Sequence, residues 1–211
     1  MTTEPTAPPP ATAPPGNPPP APARGRFELV VGASAIMLSV VSLFVAISAN
    51  RTQERMLAAS VWPSMIFGSS NISRDDGSPE IALDLLNRGT GPARIRWVEL
   101  AHRGKPMATA GDLLQACCGG MPESRGDVHP IIGSGIQRRV FGAEEWVSFL
   151  RMPLARVPQE TFDAFDRERH QVRLRACYCS VLDDCWLLDS ELEEPRAVSA
   201  CPAAPRVLWR G

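Results

Sequence analysis

The residues of this 211-residue chain with the clearest chemical potential are its six cysteines. Three of them, Cys177, Cys179 and Cys185, lie in the stretch CYCSVLDDC. On a β-strand Cys177 and Cys179 point to the same face, because side chains alternate between faces. A turn near residues 181–183 brings Cys185 opposite Cys179, which predicts a cross-strand disulfide between these two. Each disulfide that closes a loop stabilises a fold by about 2–4 kcal/mol.

The remaining cysteines are also expected to form disulfides. Adjacent Cys117 and Cys118 are not expected to bond to each other, since the small ring strains the peptide that joins them. They are expected to find partners among the other cysteines, and Cys201 in the Pro-rich C-terminal region needs a partner too. Six cysteines allow 15 connectivities. The sequence predicts one specific pair among them, Cys179–Cys185. The disulfide candidates are Cys117, Cys118, Cys177, Cys179, Cys185 and Cys201.

The competing chemistry for these sulfur atoms is metal binding or thiol chemistry. Thiolates bind zinc and copper(I), and the candidate thiolates are Cys117, Cys118, Cys177, Cys179 and Cys185. The spacing lacks a Cys-x-x-Cys pair, and His170 is not at ligand spacing. The sequence therefore favours structural disulfides, with no metal and no cofactor. A thiol- or metal-handling face at Cys177, Cys179 and Cys185 is the alternative.

Other residues give no pattern that is typical of catalysis. His102, His129 and His170 are scattered, and no serine lies in a Gly-x-Ser-x-Gly motif. Residues 51–211 carry 20 basic and 21 acidic side chains, so they present no basic field for nucleic acid. The sequence predicts a protein that is not an enzyme and binds no nucleic acid. An enzyme whose site is assembled from distant residues is a further alternative.

The first element that positions these residues is an apolar stretch from Leu29 to Ser48. It has twenty residues without a charge. At about 1.5 Å per residue a helix of this length spans the roughly 30 Å hydrocarbon core of a bilayer. The pattern predicts a transmembrane helix over 27–50, continued by a juxtamembrane helix over 51–61. A cleaved signal peptide is the alternative, but its apolar core would be shorter and nearer the N-terminus.

The same helix carries a stripe of small residues at heptad spacing. Small residues on one face let helices approach closely in lipid, where packing drives their association. The stripe therefore predicts a possible homo-oligomer through the transmembrane helix. The helix-packing candidates are Gly32, Ala35, Ser39, Ser42, Ala46 and Ala49.

The flanks of the helix suggest its orientation. Residues 1–26 form a Pro-rich tail that is predicted to be disordered, with ten of the chain's 21 prolines in residues 1–24. Two arginines flank each end of the helix, so the charge rule gives a tie. All six cysteines follow the helix, which favours an oxidising compartment for that side. The prediction is a single-pass plasma-membrane protein with a cytoplasmic N-terminus and an extracytoplasmic domain.

After residue 62 the periodicity alternates in the way typical of strands. The predicted strands are 64–72, 80–86, 93–101, 136–141, 145–152, 171–180 and 185–189, and the predicted short helices are 112–118 and 158–169. Residues 136–152 and 171–189 are each expected to form a hairpin. Trp62 is expected to begin the first strand and pack in the core, and an aromatic anchor at the membrane interface is the alternative. The fold class is mainly β: an antiparallel β-sandwich over 62–195 with one or two short helices, followed by a tail over 196–211.

Two motifs carry a resemblance. Trp62-Pro63 follows a juxtamembrane segment that contains Gln53, and the second strand ends in the sequence NRGTGPA over residues 87–93. This order resembles small bacterial proteins that have one N-terminal membrane helix. A bacterial source also agrees with Lys105 being the only lysine beside many arginines. The resemblance covers roughly residues 30–100 and implies a membrane-tethered extracytoplasmic β-sandwich without a known activity. The expected function is a binding or scaffold module with a protein partner.

Overall fold

The computed structural model describes residues 24–123 and 129–211 of the chain. Most of the predicted Pro-rich tail over 1–26 lies outside the described residues. The chain divides into two units, with the boundary after Arg51.

The first helix, α1, runs from Arg24 to Ser60. It contains the predicted transmembrane and juxtamembrane segments in one continuous element. By length and composition it is long and apolar enough to cross a membrane. The hydroxyls of Ser34 and Ser39 donate to carbonyls of the preceding turn, Val30 and Ala35, so these polar groups are satisfied within the helix. The six small residues of the stripe all lie on α1 and are exposed.

The rest of the described chain is rich in strands, as predicted, and forms two antiparallel sheets. Sheet A has the order β1-β2-β7-β5, and sheet B has the order β10-β9-β8-β3-β4, with β6 also paired to β3. The strands are β1 Met65–Ile72, β2 Pro79–Asn87, β3 Ala93–His102, β4 Lys105–Met107, β5 Ile132–Gly133, β6 Val140–Phe141, β7 Trp146–Pro153, β8 Val172–Cys179, β9 Cys185–Asp189 and β10 Arg196–Val198. The short helices are α2 Ala110–Cys118 and α3 Gln159–Glu168.

One hydrophobic core contains side chains from both sheets. Strand β2 buries Ile81, Leu83 and Leu85 completely, which is the face that its alternation predicts. Strand β8 contributes Tyr178, whose hydroxyl accepts a hydrogen bond from the Met65 backbone N–H of sheet A at 3.3 Å. Burial raises the pKa of Tyr178 to about 12, because ionisation would place a charge in the core.

Both short helices follow their sequence signals. Helix α2 begins with a capping box in which the Thr109 hydroxyl and the Asp112 carboxylate each accept from the other residue's backbone N–H. Helix α3 follows Pro158 and buries Phe162 and Phe165, as predicted. Strands β8 and β9 form the predicted hairpin.

The predicted hairpin over 136–152 is wrong. Strand β6 pairs with β3 in sheet B, whereas β7 pairs with β2 and β5 in sheet A. The chain therefore crosses from one sheet to the other between these strands. The alternating pattern predicts strands in both segments, of which the first forms only the two-residue strand Val140–Phe141, and it carries no information about pairing partners.

Asn87 holds this crossing in place. Its side-chain amide donates to the carbonyls of Gly91 and Gly142, both at 2.8 Å. Its carbonyl oxygen accepts from the backbone N–H of Ser64 at 3.1 Å and of Gly89 at 3.0 Å. One fully buried side chain therefore joins the start of β1, the turn after β2 and the crossing.

The Trp-Pro pair packs against the glycine-rich turn. A Cβ atom on Gly89 would collide with the Trp62 carbonyl, and one on Gly91 would collide with the Val61 backbone. Glycine is therefore needed at both positions for this close approach. Trp62 itself is 51% exposed and precedes β1, so the expectation that it packs in the core is wrong. The buried residue of the pair is Pro63.

The C-terminal residues belong to the fold, which corrects the predicted tail over 196–211. Strand β10 pairs with β9, and Cys201 is bonded to Cys177. Trp209 is fully buried, and its backbone N–H donates to the Val98 carbonyl at 3.1 Å. The prolines in this region suggested a separate tail, but they are compatible with an extended segment that lies against a sheet.

Candidate functional site

The six cysteines form three disulfides. Cys179 is bonded to Cys185, which is the pair that the sequence names, and the two residues are paired across β8 and β9. Cys177 is bonded to Cys201, and Cys117 to Cys118.

The pairing of Cys117 with Cys118 corrects the expectation that each would find another partner. They are the last two residues of α2, which ends at Gly119 in the left-handed conformation. The C-terminal segment carries Cys201 to Cys177, and the β8–β9 hairpin joins the other two cysteines. The two neighbours are then the only cysteines that remain. Ring strain predicts that disulfides between adjacent cysteines are rare. This argument takes no account of the positions of the other four cysteines.

Two of the disulfides lie against each other. The sulfur atoms of Cys179, Cys185 and Cys201 lie within 4.8 Å of one another, and the Cys179 and Cys201 Sγ atoms are 3.7 Å apart. Thiolates are the metal ligands and nucleophiles among cysteine species, and all these sulfur atoms are bonded in disulfides. In this oxidised form the cluster fastens strands and the C-terminal segment together.

The C-terminal segment covers part of the outer face of sheet B. Trp97, Cys177 and Leu187 form a small buried cluster there, and Cys201 and Leu208 pack against it. The Trp97 indole N–H also donates to the carbonyl of Pro202 at 3.1 Å. The Cys177–Cys201 disulfide fixes this cover to the middle of the sheet.

The outer face of sheet A contains a cavity of about 270 Å³, and no other segment in the described part of the chain lines it. Its floor comes from the second face of β2, where Glu80, Ala82 and Asp84 alternate with the core residues. The cavity is lined by Ser70, Ile72, Arg74, Asp75, Glu80, Ala82, Asp84, Trp146, Ser148 and Arg151.

A β-bulge brings the polar residues of β7 to the same cavity. Leu83 pairs with Leu150 and Asp84 pairs with Ser148, so β7 carries one extra residue between these pairs. The bulge shifts the alternation of β7. Ser148 and Arg151, which are three positions apart, therefore both line the cavity. A regular strand would place them on opposite faces.

One wall of the cavity is an ion pair. The Arg151 guanidinium donates to the two Glu80 carboxylate oxygens at 2.7 Å and 3.0 Å, and to Asp75 at 3.4 Å. The hydrogen bonds from Arg151 to Glu80 raise the pKa of Arg151 above its ordinary value. Glu80 is buried, and this two-point contact compensates its charge.

The Asp84 carboxylate has no such compensation. Asp84 is 3% exposed, and its one side-chain hydrogen bond among the described residues comes from the Ser148 hydroxyl at 2.6 Å. The hydroxyl oxygen of Ser70, which lines the same cavity, is buried and has no partner in the described part of the chain. Buried polar groups without partners are costly unless a ligand completes them.

The rim of the cavity is partly apolar. Ile72 is 57% exposed, and the Trp146 ring lies beneath the Arg74 guanidinium, which is 3.5 Å from the ring centroid. Gly68 of β1 is the cross-strand partner of Asp84 of β2. A Cβ atom at Gly68 would meet no other atom within 4 Å. The glycine therefore leaves space beside the carboxylate.

This cavity was not among the sites predicted from the sequence. The alternation of β2 does contain a signal, because the face opposite Ile81, Leu83 and Leu85 carries Glu80 and Asp84. Two carboxylates on one face are ordinary for a solvated strand, however. Their burial depends on the neighbouring strands and on the bulge in β7, which the pattern does not show.

Comparison of the chain with protein-family models, with curated proteins and with solved structures finds no match.

Proposed function

We propose that this protein is a membrane-tethered binding module that is not an enzyme. Its β-rich domain is a disulfide-stabilised β-sandwich that lies outside the membrane and presents the outer face of sheet A to a protein partner. The Trp62-Pro63 pair and the turn over 87–93, which pack together, support its assignment to the tethered bacterial proteins that share this order of motifs.

The tether and the compartment are supported by separate features. Helix α1 has the length and composition for one membrane crossing. All six cysteines follow it and all are in disulfides, which persist in oxidising compartments. Mass spectrometry of the purified chain with and without reductant tests this, because three disulfides mean the loss of six protons. Free thiols or a bound metal would instead favour a thiol- or metal-handling protein.

The observation that carries the proposed function is the open outer face of sheet A. It holds a cavity in which the Ser70 hydroxyl has no partner among the described residues, and β1 beside it is an edge strand. An edge strand presents unpaired backbone groups to which another chain can add. Ile66 and Ile72 are exposed on this strand and provide apolar contacts.

Site-specific photo-cross-linking in native membranes tests which face is used. A photoreactive side chain at Ile72 is expected to give a discrete adduct with a partner protein. The matched control is the same side chain at Ala197, which is exposed on β10 of sheet B. Equal adducts at both positions, or none at Ile72, would contradict the proposed binding face.

Self-association through α1 is a separate proposal. The small residues of the stripe lie on one exposed helix, which allows close packing with a second copy in lipid. The double substitution Ser39→Leu and Ala46→Leu is expected to weaken a cross-linked dimer in membranes. An unchanged dimer would show that this face does not mediate association.

A further inference from the structure

The charges around the sheet A cavity leave one carboxylate without a cation. Among the described residues, two arginines and three carboxylates line the cavity. Arg151 is bonded to Glu80 and Asp75, and Arg74 stacks on the Trp146 ring. Asp84, the most buried of the three carboxylates, forms no ion pair among the described residues. The cavity therefore has a site for one positive charge at its buried end.

The acceptors around this position suit an ammonium group. One oxygen of Asp84 is bonded to the Ser148 hydroxyl, and the other has no hydrogen-bond partner within residues 24–123 and 129–211. The hydroxyl oxygens of Ser148 and Ser70 line the same cavity and can accept further hydrogen bonds. An ammonium group has three donors around one point, whereas a guanidinium fork needs two free oxygens in one plane. The donor set therefore favours an ammonium.

The rim suits an alkyl chain that carries this group. Ile72 and Trp146 form apolar walls at the mouth of the cavity, and lysine side chains bury their methylene groups along such surfaces. The stacking of Arg74 shows that the Trp146 face accepts a cation. Gly68, the cross-strand partner of Asp84, adds no side chain beside it.

From this arrangement we propose that the cavity binds the lysine side chain of the protein partner, with Asp84 as its counter-ion and Ser70 and Ser148 as further acceptors. The proposal rests on the proposed function, because it names the group that a partner places in the open face of sheet A. One segment of the partner can then pair with the edge strand β1 and place its lysine side chain in the cavity.

Titration of the full-length protein in detergent tests the ammonium site. The probe is the tripeptide acetyl-Ala-Lys-Ala-amide, compared with the norleucine tripeptide, which lacks the ammonium, and with free n-butylammonium. We expect saturable binding of the lysine tripeptide. Asp84→Asn should weaken it by roughly 10- to 100-fold, because a hydrogen bond to a charged group is lost while the shape is kept.

Occlusion of the cavity gives a second, independent variant. Gly68→Leu adds a side chain in open space beside Asp84 and should abolish saturable binding. Gly135→Leu is the matched control, since its Cβ also meets nothing, whereas Gly135, unlike Gly68, is not the cross-strand partner of Asp84. It should bind as the unsubstituted protein does.

Several results would overturn the proposal. These are equal binding of the norleucine tripeptide, unchanged binding in Asp84→Asn or Gly68→Leu, and the absence of saturable binding. Tighter binding of n-butylammonium than of the tripeptide would also overturn it, because the ligand would then be a free amine. A persistent Ile72 adduct beside any of these results would show that the partner binds this face through another group. In that case the proposed function stands while the lysine site is rejected.

Discussion

The outer faces of the two sheets differ in what covers them. Sheet B buries Trp97, Cys177 and Leu187 under the C-terminal segment, which a disulfide fastens to the sheet. Around the cavity of sheet A, the Ser70 hydroxyl has no partner in the described part of the chain, and Asp84 has one, the Ser148 hydroxyl. Both faces belong to antiparallel sheets that share one core.

The covered face contributes to stability, whereas the face with the cavity is the proposed binding face. Apolar and disulfide-bonded side chains on the covered face contribute directly to the free energy of unfolding. Polar groups that lack partners reduce it, and proteins retain such groups where a ligand uses them. Substitution of Asp84 at the cavity should therefore change stability with the opposite sign to substitution of the buried residues of the covered face.

The largest expected effect concerns the residue that anchors the cover. Trp209→Ala should lower the free energy of unfolding by about 3–5 kcal/mol, because a large, fully buried side chain is lost from the core. Denaturant unfolding of the full-length protein, followed by fluorescence, measures this. Trp62→Ala is the control, since Trp62 is half exposed and should lose much less. Equal losses of stability in the two variants would contradict the conclusion that the C-terminal segment is part of the fold.

The next effect concerns the disulfide that fastens the cover. The double substitution Cys177→Ser and Cys201→Ser should lower the free energy of unfolding by about 3 kcal/mol, because the bond closes a loop over a sequence separation of 24. The matched control, Cys117→Ser with Cys118→Ser, should change it far less, since adjacent residues enclose almost no loop. Similar losses in both variants would contradict this explanation.

The core between the two faces gives a prediction about pH. The unfolded-state pKa of tyrosine is near 10 and the pKa of Tyr178 in the fold is about 12, so the fold favours the protonated phenol. This stability is fully present below pH 10 and is lost as pH rises from 10 to 12, by about 2–3 kcal/mol. Denaturant unfolding at pH 9 and pH 11.5 measures it.

Tyr178 is the only tyrosine, so tyrosinate absorbance follows its ionisation directly. Tyr178→Phe should reduce the loss of stability above pH 10. If the absorbance of the folded protein titrates near pH 10, the phenol is accessible and the core is looser than the structure shows.

The smallest expected effect has the opposite sign and concerns the open face. Asp84→Asn should raise the free energy of unfolding by about 1 kcal/mol, because it removes a buried charge without a cation and keeps a group that accepts from Ser148. Glu80→Gln is the contrasting variant, and it should lower stability, since it breaks the pair with Arg151. A loss in Asp84→Asn as large as in Glu80→Gln would show that Asp84 serves the fold.

Local sequence patterns alone predict several elements of this protein. The apolar stretch over 29–48 predicts α1, and alternation predicts the core face of β2 and the β8–β9 hairpin with its Cys179–Cys185 bond. Pro158 and the phenylalanines after it predict α3. These features depend on spacing within one segment or between two adjacent ones.

Only the tertiary structure decided which sheet receives each strand, how the remaining cysteines pair and where the cavity forms. Cys201 meets Cys177 because the C-terminal segment packs on sheet B, and this leaves Cys117 to bond with Cys118. Asp84 lines the cavity together with Arg151 because β7 pairs with β2 through a bulge. Such contacts join residues that are distant along the chain, so their energies depend on the whole packing and leave little trace in any single segment.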